Sequence, residues 1–303
     1  MIKATGKGGI TATVVAHSSY KDGPTIITFE LEYPRFIHGE FMTHRQFSRN
    51  AASSRAIPIS TMIQSVLDTP ASPIHWGENQ SGMQAAKEVG DIERATYEWK
   101  HASIAAAVQA NRLKEAGLHK QIANRVLETF QMMKVVVTAT EYENFFYLRD
   151  HADAQPEIAE LARVMRKALA MSEPNELRVG EWHLPYVDFY RCPEYGNVFY
   201  SVGGEDLYHE EAIKVSASMC AQVSYRKSDD SVEKALRIYD MLVNNKPVHA
   251  SPFEHQASPM AKDASYPWDL GVTHIDHKGQ RWSGNFKGWA QYRQLISGNA
   301  VYG

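Results

Sequence analysis

Apolar and β-branched positions are dense over residues 11–19 (TATVVAHSS) and 25–33 (TIITFELEY). Lys21-Asp22-Gly23-Pro24 between them has turn composition, so the pattern predicts a β-hairpin. Ahead of it, residues 1–10 (MIKATGKGGI) are rich in Gly and Lys and read as a loose leader. After it, Phe36, Ile37, Phe41 and Phe47 recur at roughly helical spacing over 34–50, and an Ala- and Ser-rich stretch runs on to Ser60.

Helical patterns fill the middle of the chain. Residues 83–116 are Ala-rich with good helix formers and predict a long helix, with Gly117 as its stop. Residues 118–133 predict a second helix and 134–140 (KVVVTAT) a short strand. Pro156 suits the first position of a helix running to about Met171. Residues 173–208, dense in Pro, Gly, Trp and Tyr, read as an irregular excursion. Helices are expected again over 209–223 and 231–244, before a tail (256–303) of weak periodicity. No repeat or low-complexity tract interrupts this order, which predicts one α+β domain across 1–303.

Composition narrows the class. With 44% hydrophobic and 22% charged residues, the chain is neither disordered nor a fibrous rod. Lys and Arg (32) nearly balance Asp and Glu (35), so no whole-molecule field favours nucleic acid or an anionic membrane, and any anion site must be local. No apolar run approaches the roughly 20 residues of a membrane span. Cys192 and Cys220 allow at most one bridge; without a secretory signal at the start, a reducing cytoplasm is expected.

Three polar clusters carry candidate chemistry. The first is Thr43-His44-Arg45-Gln46-Phe47-Ser48-Arg49-Asn50-Ala51-Ala52-Ser53-Ser54-Arg55, where guanidinium groups and hydroxyls stand with almost no acid. Arg forks donate two parallel hydrogen bonds to phosphate, and Ser hydroxyls complete such a cradle; a solvated basic turn is the alternative. The second is His249-Ala250-Ser251-Pro252-Phe253-Glu254-His255. Its histidines could ligate a metal, but they share no helix face, and Ser251 capping a helix with Glu254 in its first turn is the structural alternative. The third is Asn144 to Ile158, in which Arg149 on its own reads as an ion-pair partner of Asp150 or Asp153. Neither Cys has a nucleophile motif around it, and no Rossmann or Walker glycine loop is present.

Together these clusters resemble the flavin-dependent thymidylate synthase family. Its signature is Arg-His-Arg, seven residues, Ser, one residue and Arg; Thr43-His44-Arg45, Ser53 and Arg55 match all but the first Arg. Leu148-Arg149 with Ala154-Gln155 and Glu157-Ile158 is similar to the family's "LR…AQxEI" segment, with Asn144 at its flavin-contacting Asn. His249 to His255 resembles the flavin loop, and Ala221-Gln222-Val223-Ser224 the "ARVS" segment. In the family the last two precede Arg-His-Arg; here they follow it, so the sequence resembles a circular permutation. Departures are Glu40 for Gln, Thr43 for Arg, Ala51 for an acid, Asn124 with Arg125 shifted by one, and Thr138 and Thr140 for Asn and Arg.

The resemblance implies an α+β fold, an antiparallel or mixed sheet flanked by long helices, with insertions near 60–117 and 173–208. It implies conversion of the pyrimidine deoxynucleotide dUMP to dTMP with FAD, methylenetetrahydrofolate and NADPH. Ser53 and Arg55 are the implied phosphate cradle, and Arg149 is the implied catalytic residue at the pyrimidine carbonyl. Glu40 and Arg125 are further substrate-side positions. His44, Arg45, Asn144, Ser224, His249, Ser251 and Glu254 would surround FAD, and no metal is implied. A cytoplasmic homo-oligomer, a tetramer with shared sites, is expected, with neither nucleic acid nor membrane as partner. Two alternatives stay open: a flavin- and folate-dependent dCMP or dUMP methylase or hydroxymethylase, and a nucleotide-binding module without catalysis.

Overall fold

The computed structural model describes residues 1–223, 231–261 and 271–300. Its centre is the predicted hairpin. Strand β2 (Thr11–Ser19) pairs antiparallel with β3 (Ile26–Pro34), and β1 (Ile2–Thr5) adds to the outer side of β2. The expected loose leader is therefore partly a strand: Ile2 and Ala4 pack into the core and Ile10 is fully buried, which outweighs the flexible glycines after them. Past β3, Arg35–Ile37 and α1 (His38–Phe41) turn only briefly before β4 (Ser48–Ala51). The helical spacing seen over 34–50 thus holds only to Phe41. Phe47 reaches the same cluster from a turn, because residues 48–51 pair with β5 (Met132–Ala139) instead.

Helices α2 (Ile59–Asp68), α3 (Ile92–Glu115) and α4 (Lys120–Ala123) lie between β4 and β5. Asp91 caps α3 by accepting a bond from the Arg94 amide at 2.9 Å, and Gly117, at φ +83°, follows its end where a side chain would be strained. A helix was expected over 118–133. It is only α4 followed by a tight 3-10 turn (Asn124–Phe130), because Met132 onward joins the sheet in an eight-pair ladder with β3.

After β5 come α5 (Glu143–Arg149) and α6 (Pro156–Ala170), whose N-terminal proline stands where the sequence put it. The main sheet runs β1-β2-β3-β5-β4, and a short parallel strand, β6 (Asn175–Glu176), joins the end of β2, so the sheet is mixed. One face carries Phe29, Leu31, Val135 and Val137 against Ile158, Leu161 and Met165 of α6. That alternation is the period of two that puts one strand face into the core.

Residues 173–208, read as irregular, also contain an antiparallel sheet of β7 (Asp188–Arg191), β8 (Val198–Val202) and β9 (Glu205–Leu207). Its strand formers are short runs on either side of a turn at Gly196 (φ +68°), and the prolines around them hide the signal. Helices α7 (His209–Ala221) and α8 (Val232–Asn244) fall within the expected segments. The tail adds β10 (Ala257–Pro259), β11 (His274–Ile275), β12 (Arg281–Ser283), β13 (Phe286–Lys287) and β14 (Trp289–Gln291). Together these elements form an α+β fold. Cys192 and Cys220 form no disulfide, and Cys220 is buried. Among the described residues no helix is long and apolar enough to cross a membrane.

Candidate active site

Three short segments converge at the lower edge of the α6-side core: α1, the turn that follows it, and the end of α5. An aromatic floor holds them. Phe145 meets Phe41 at 5.8 Å and Phe47 at 5.4 Å between ring centroids, and the His44 imidazole stands edge-on to it at 4.9 Å. Held to His44 at the edge of this floor is the guanidinium of Arg149, the last residue of α5. Its Nε donates to His44 Nε2 at 3.0 Å and its Nη2 to Thr43 Oγ1 at 3.3 Å, and its Nη1 lies 3.6 Å from Glu40 Oε2.

These contacts fix the state of His44. An Nε2 that accepts from Arg149 carries no proton, so the neutral ring bears its hydrogen on Nδ1. Burial, with Arg149 and Arg49 nearby, lowers its pKa from 6.5 to about 4, so the ring is neutral at pH 7. The unfolded chain takes up a proton on His44 as pH falls through 6.5, while the folded chain resists until about 4. The stabilisation is fully present above 6.5 and is lost on acidification through that window. His44→Gln is expected to flatten the fall of the denaturation midpoint between pH 7 and pH 4.5; an unchanged slope contradicts this state of the ring.

The structure also resolves the partner of Arg149. Asp150 is engaged by Arg166 at 2.9 Å and Arg163 at 3.5 Å, and Asp153 lies 3.7 Å from His151. Arg149 instead turns to Glu40 and Thr43, two of the positions that depart from the family pattern. A hydroxyl at 43 accepts from Arg149, whereas an arginine there would repel it.

Ser53 and Arg55 lie in the loop between β4 and α2, where the Arg55 amide donates to Ser53 Oγ at 3.3 Å. The Arg55 side chain is exposed. The loop is clamped from below by the fully buried Asn124, whose Nδ2 donates to the carbonyls of Ser54 (2.8 Å) and Ile57 (3.1 Å). Asn124 stood out in the sequence only as a departure from the family pattern. Asn124→Ala is expected to speed amide exchange across 53–57 by about tenfold, on the scale of one or two lost buried hydrogen bonds; unchanged protection there contradicts the clamp. The next residue, Arg125, is more than half exposed and engaged with Glu128 at 2.8 Å.

The second cluster folds against the first. The 3-10 turn Ser251–Glu254 packs on β4. Gln291 Nε2 bridges the two segments, donating to Ser48 Oγ at 3.2 Å and to the Glu254 carbonyl at 3.3 Å. Glu254 is ion-paired with Arg293. Ser251 opens the turn, but its side chain makes no cap bond, so the capping alternative does not hold: Pro252 and Phe253 anchor the turn by burial instead. His249, Ser251, Arg45 and Asn144 are exposed, and among the described residues their side chains form no hydrogen bond or ion pair. Ser224 lies outside the described residues. Among the described residues no three His, Cys, Asp or Glu side chains gather as a metal site.

A mixed-sheet α+β protein in which an arginine is held by a neutral imidazole, a hydroxyl and a carboxylate is the class this geometry defines. The sequence profile of the thymidylate synthase complementing protein (Thy1) family matches residues 17–175, more than half of the chain, and the chain belongs to that family. Membership makes it a methyltransferase-like enzyme of nucleotide C5 methylation. The matched region holds the first and third clusters; the turn at 251–254 lies outside it and is brought to β4 by folding. Among solved structures, the chain is similar to a UMP/dUMP methylase, PolB, from Streptomyces cacaoi, bound with 5-Br dUMP. The identity is 21% and the TM-score 0.40, over 48% of this chain and 67% of that one, a likeness too distant to carry a substrate across. No curated protein sequence matches significantly.

Proposed function

We propose that the protein is a flavin-dependent thymidylate synthase of permuted segment order, converting dUMP to dTMP with methylenetetrahydrofolate and NADPH in a homotetramer. The observation that carries this reading is the convergence of His44 and Thr43 on the Arg149 guanidinium in a chain of this family. Arg149 has five N–H donors, of which the protein contacts occupy only part, so donors remain for a pyrimidine carbonyl. Its fixed charge there stabilises electron density at C5. Arg55 and Ser53 bind the nucleotide phosphate.

The residues present fit FAD. Arg45 is an exposed cation with no ion pair among the described residues, matched to a diphosphate, while His249, Ser251 and Asn144 offer uncommitted polar groups, and His44 presents Nδ1–H. When bound, FAD supplies the hydride and mediates methylene transfer. The protein's own work is to position the groups: His44, Thr43 and Glu40 hold the Arg149 guanidinium in one place and fix its plane.

One observation favours a second substrate. Glu40, beside Arg149, is a carboxylate where the family has an amide, and a carboxylate accepts the exocyclic amine of cytosine. Methylation or hydroxymethylation of dCMP is therefore the second reading. The test is the visible spectrum of the protein mixed with FAD and freed of excess. A retained flavin band perturbed by dUMP but not dCMP is expected. Perturbation by dCMP alone favours the second reading, and a colourless protein that still binds dUMP leaves only a binding module.

A further inference from the structure

Beneath the other face of the main sheet, five buried side chains form one hydrogen-bonded chain. Ser18 Oγ lies 2.9 Å from His183 Nδ1, and His183 Nε2 lies 2.8 Å from Thr28 Oγ1. Thr28 Oγ1 lies 2.7 Å from Thr138 Oγ1, which lies 2.8 Å from His255 Nδ1. His255 Nε2 ends the chain, fully buried and, among the described residues, with no hydrogen-bond partner. Both imidazoles are neutral, since burial lowers each pKa from 6.5 to about 3, so each ring carries one proton.

The unpartnered end sets the direction of every bond. A buried N–H without an acceptor is rarer and more costly than a buried acceptor without a donor. His255 therefore holds its proton on Nδ1 and donates to Thr138. Each threonine has one hydroxyl proton, so Thr138 donates to Thr28 and Thr28 to His183 Nε2; any other arrangement leaves a buried proton unpaired. His183 then donates from Nδ1 to Ser18 Oγ. The proton of Ser18 is the one the chain does not use.

Ser18 lines a cavity of about 800 Å³, within the size of small-molecule sites. Glu30 in its wall alternates with Phe29 and Leu31, so the cavity lies on the face opposite α6, away from the aromatic floor under Arg149. Trp182 and Tyr200 form further wall, and Tyr186 stands there in the left-handed region at φ +67°, strain of the kind found at ligand sites. The described lining contains no Lys or Arg, but it includes Glu173, Asp188 and Glu205.

We propose that this cavity is a second binding site, for an uncharged or cationic ring-bearing ligand whose carbonyl or ring nitrogen accepts from Ser18. Aromatic walls stack the ring, and the acids repel the phosphates and carboxylates of nucleotides, FAD and folates. The site stands independently of the function proposed above.

Benzamide, neutral with a carbonyl acceptor, and benzoate, its anionic counterpart, are the probes, titrated by ligand-observed NMR against the whole protein. Saturable benzamide binding is expected, with benzoate at least tenfold weaker. Ser18→Ala should weaken benzamide about fivefold, the scale of one hydrogen bond, and Arg149→Ala should leave it unchanged. Nitrogen-15 spectra of the unaltered protein should show His183 and His255 both protonated on Nδ1, a readout that stands even if Ser18→Ala fails to fold. Equal binding of the two probes, no saturable benzamide binding, an unaffected Ser18→Ala protein or an Nε2-protonated ring at either position overturns the proposal.

Discussion

Arg149→Ala is expected to lower turnover of the methylation by about 10²–10³-fold, the loss seen when a preorganised donor to developing negative charge is removed, about 2.7–4 kcal/mol. The geometry makes the loss large. The guanidinium is held at three points, by His44, Thr43 and Glu40, so it does not have to be ordered when substrate arrives. Arg149→Lys should recover little, because an ammonium cannot bond His44 and Thr43 while keeping a fork for the pyrimidine. Binding through the phosphate cradle should survive both changes, so the effect belongs in kcat with little change in KM. A near-normal kcat for Arg149→Ala places the charge stabilisation elsewhere.

Phe145→Ala is expected to destabilise the fold by about 3–5 kcal/mol, the range for a buried Phe truncated to Ala. Phe145 is 2% exposed and touches Phe41, Phe47, Phe146 and His44. The cavity left behind has no obvious filler, since the surrounding rings belong to three different segments. The denaturant midpoint reads the loss, and the same variant should loosen Arg149 because α5 carries both residues. Phe145→Leu should retain more than half of the stability and show the Arg149 contacts by restored activity. A cost below about 1 kcal/mol for Phe145→Ala contradicts the role of the floor.

Where structure follows from local sequence, it was legible. The hairpin at 11–33, the strand ending in Thr138 and Ala139, the helix opening at Pro156 and the stop at Gly117 each rest on neighbouring residues. The first and second clusters were likewise marked by their motifs. What was not legible depended on distant partners. Residues 2–5 become a strand only because β2 offers an edge, and Asp150 is taken from Arg149 by Arg163 and Arg166, a helix turn or more further on. The chain from Ser18 to His255 links residues more than 100 positions apart at every step, so no periodicity announces it. Asn124 was visible only as a departure, and the loop it clamps appeared only in the fold.

The most direct test of the account is product formation in a defined mixture of the purified protein, FAD, dUMP, methylenetetrahydrofolate and NADPH, followed by mass analysis of the nucleotide. The account predicts dTMP, formed only when FAD is present and lost in Arg149→Ala. No dTMP from the FAD-loaded protein, or the same yield without FAD, contradicts it.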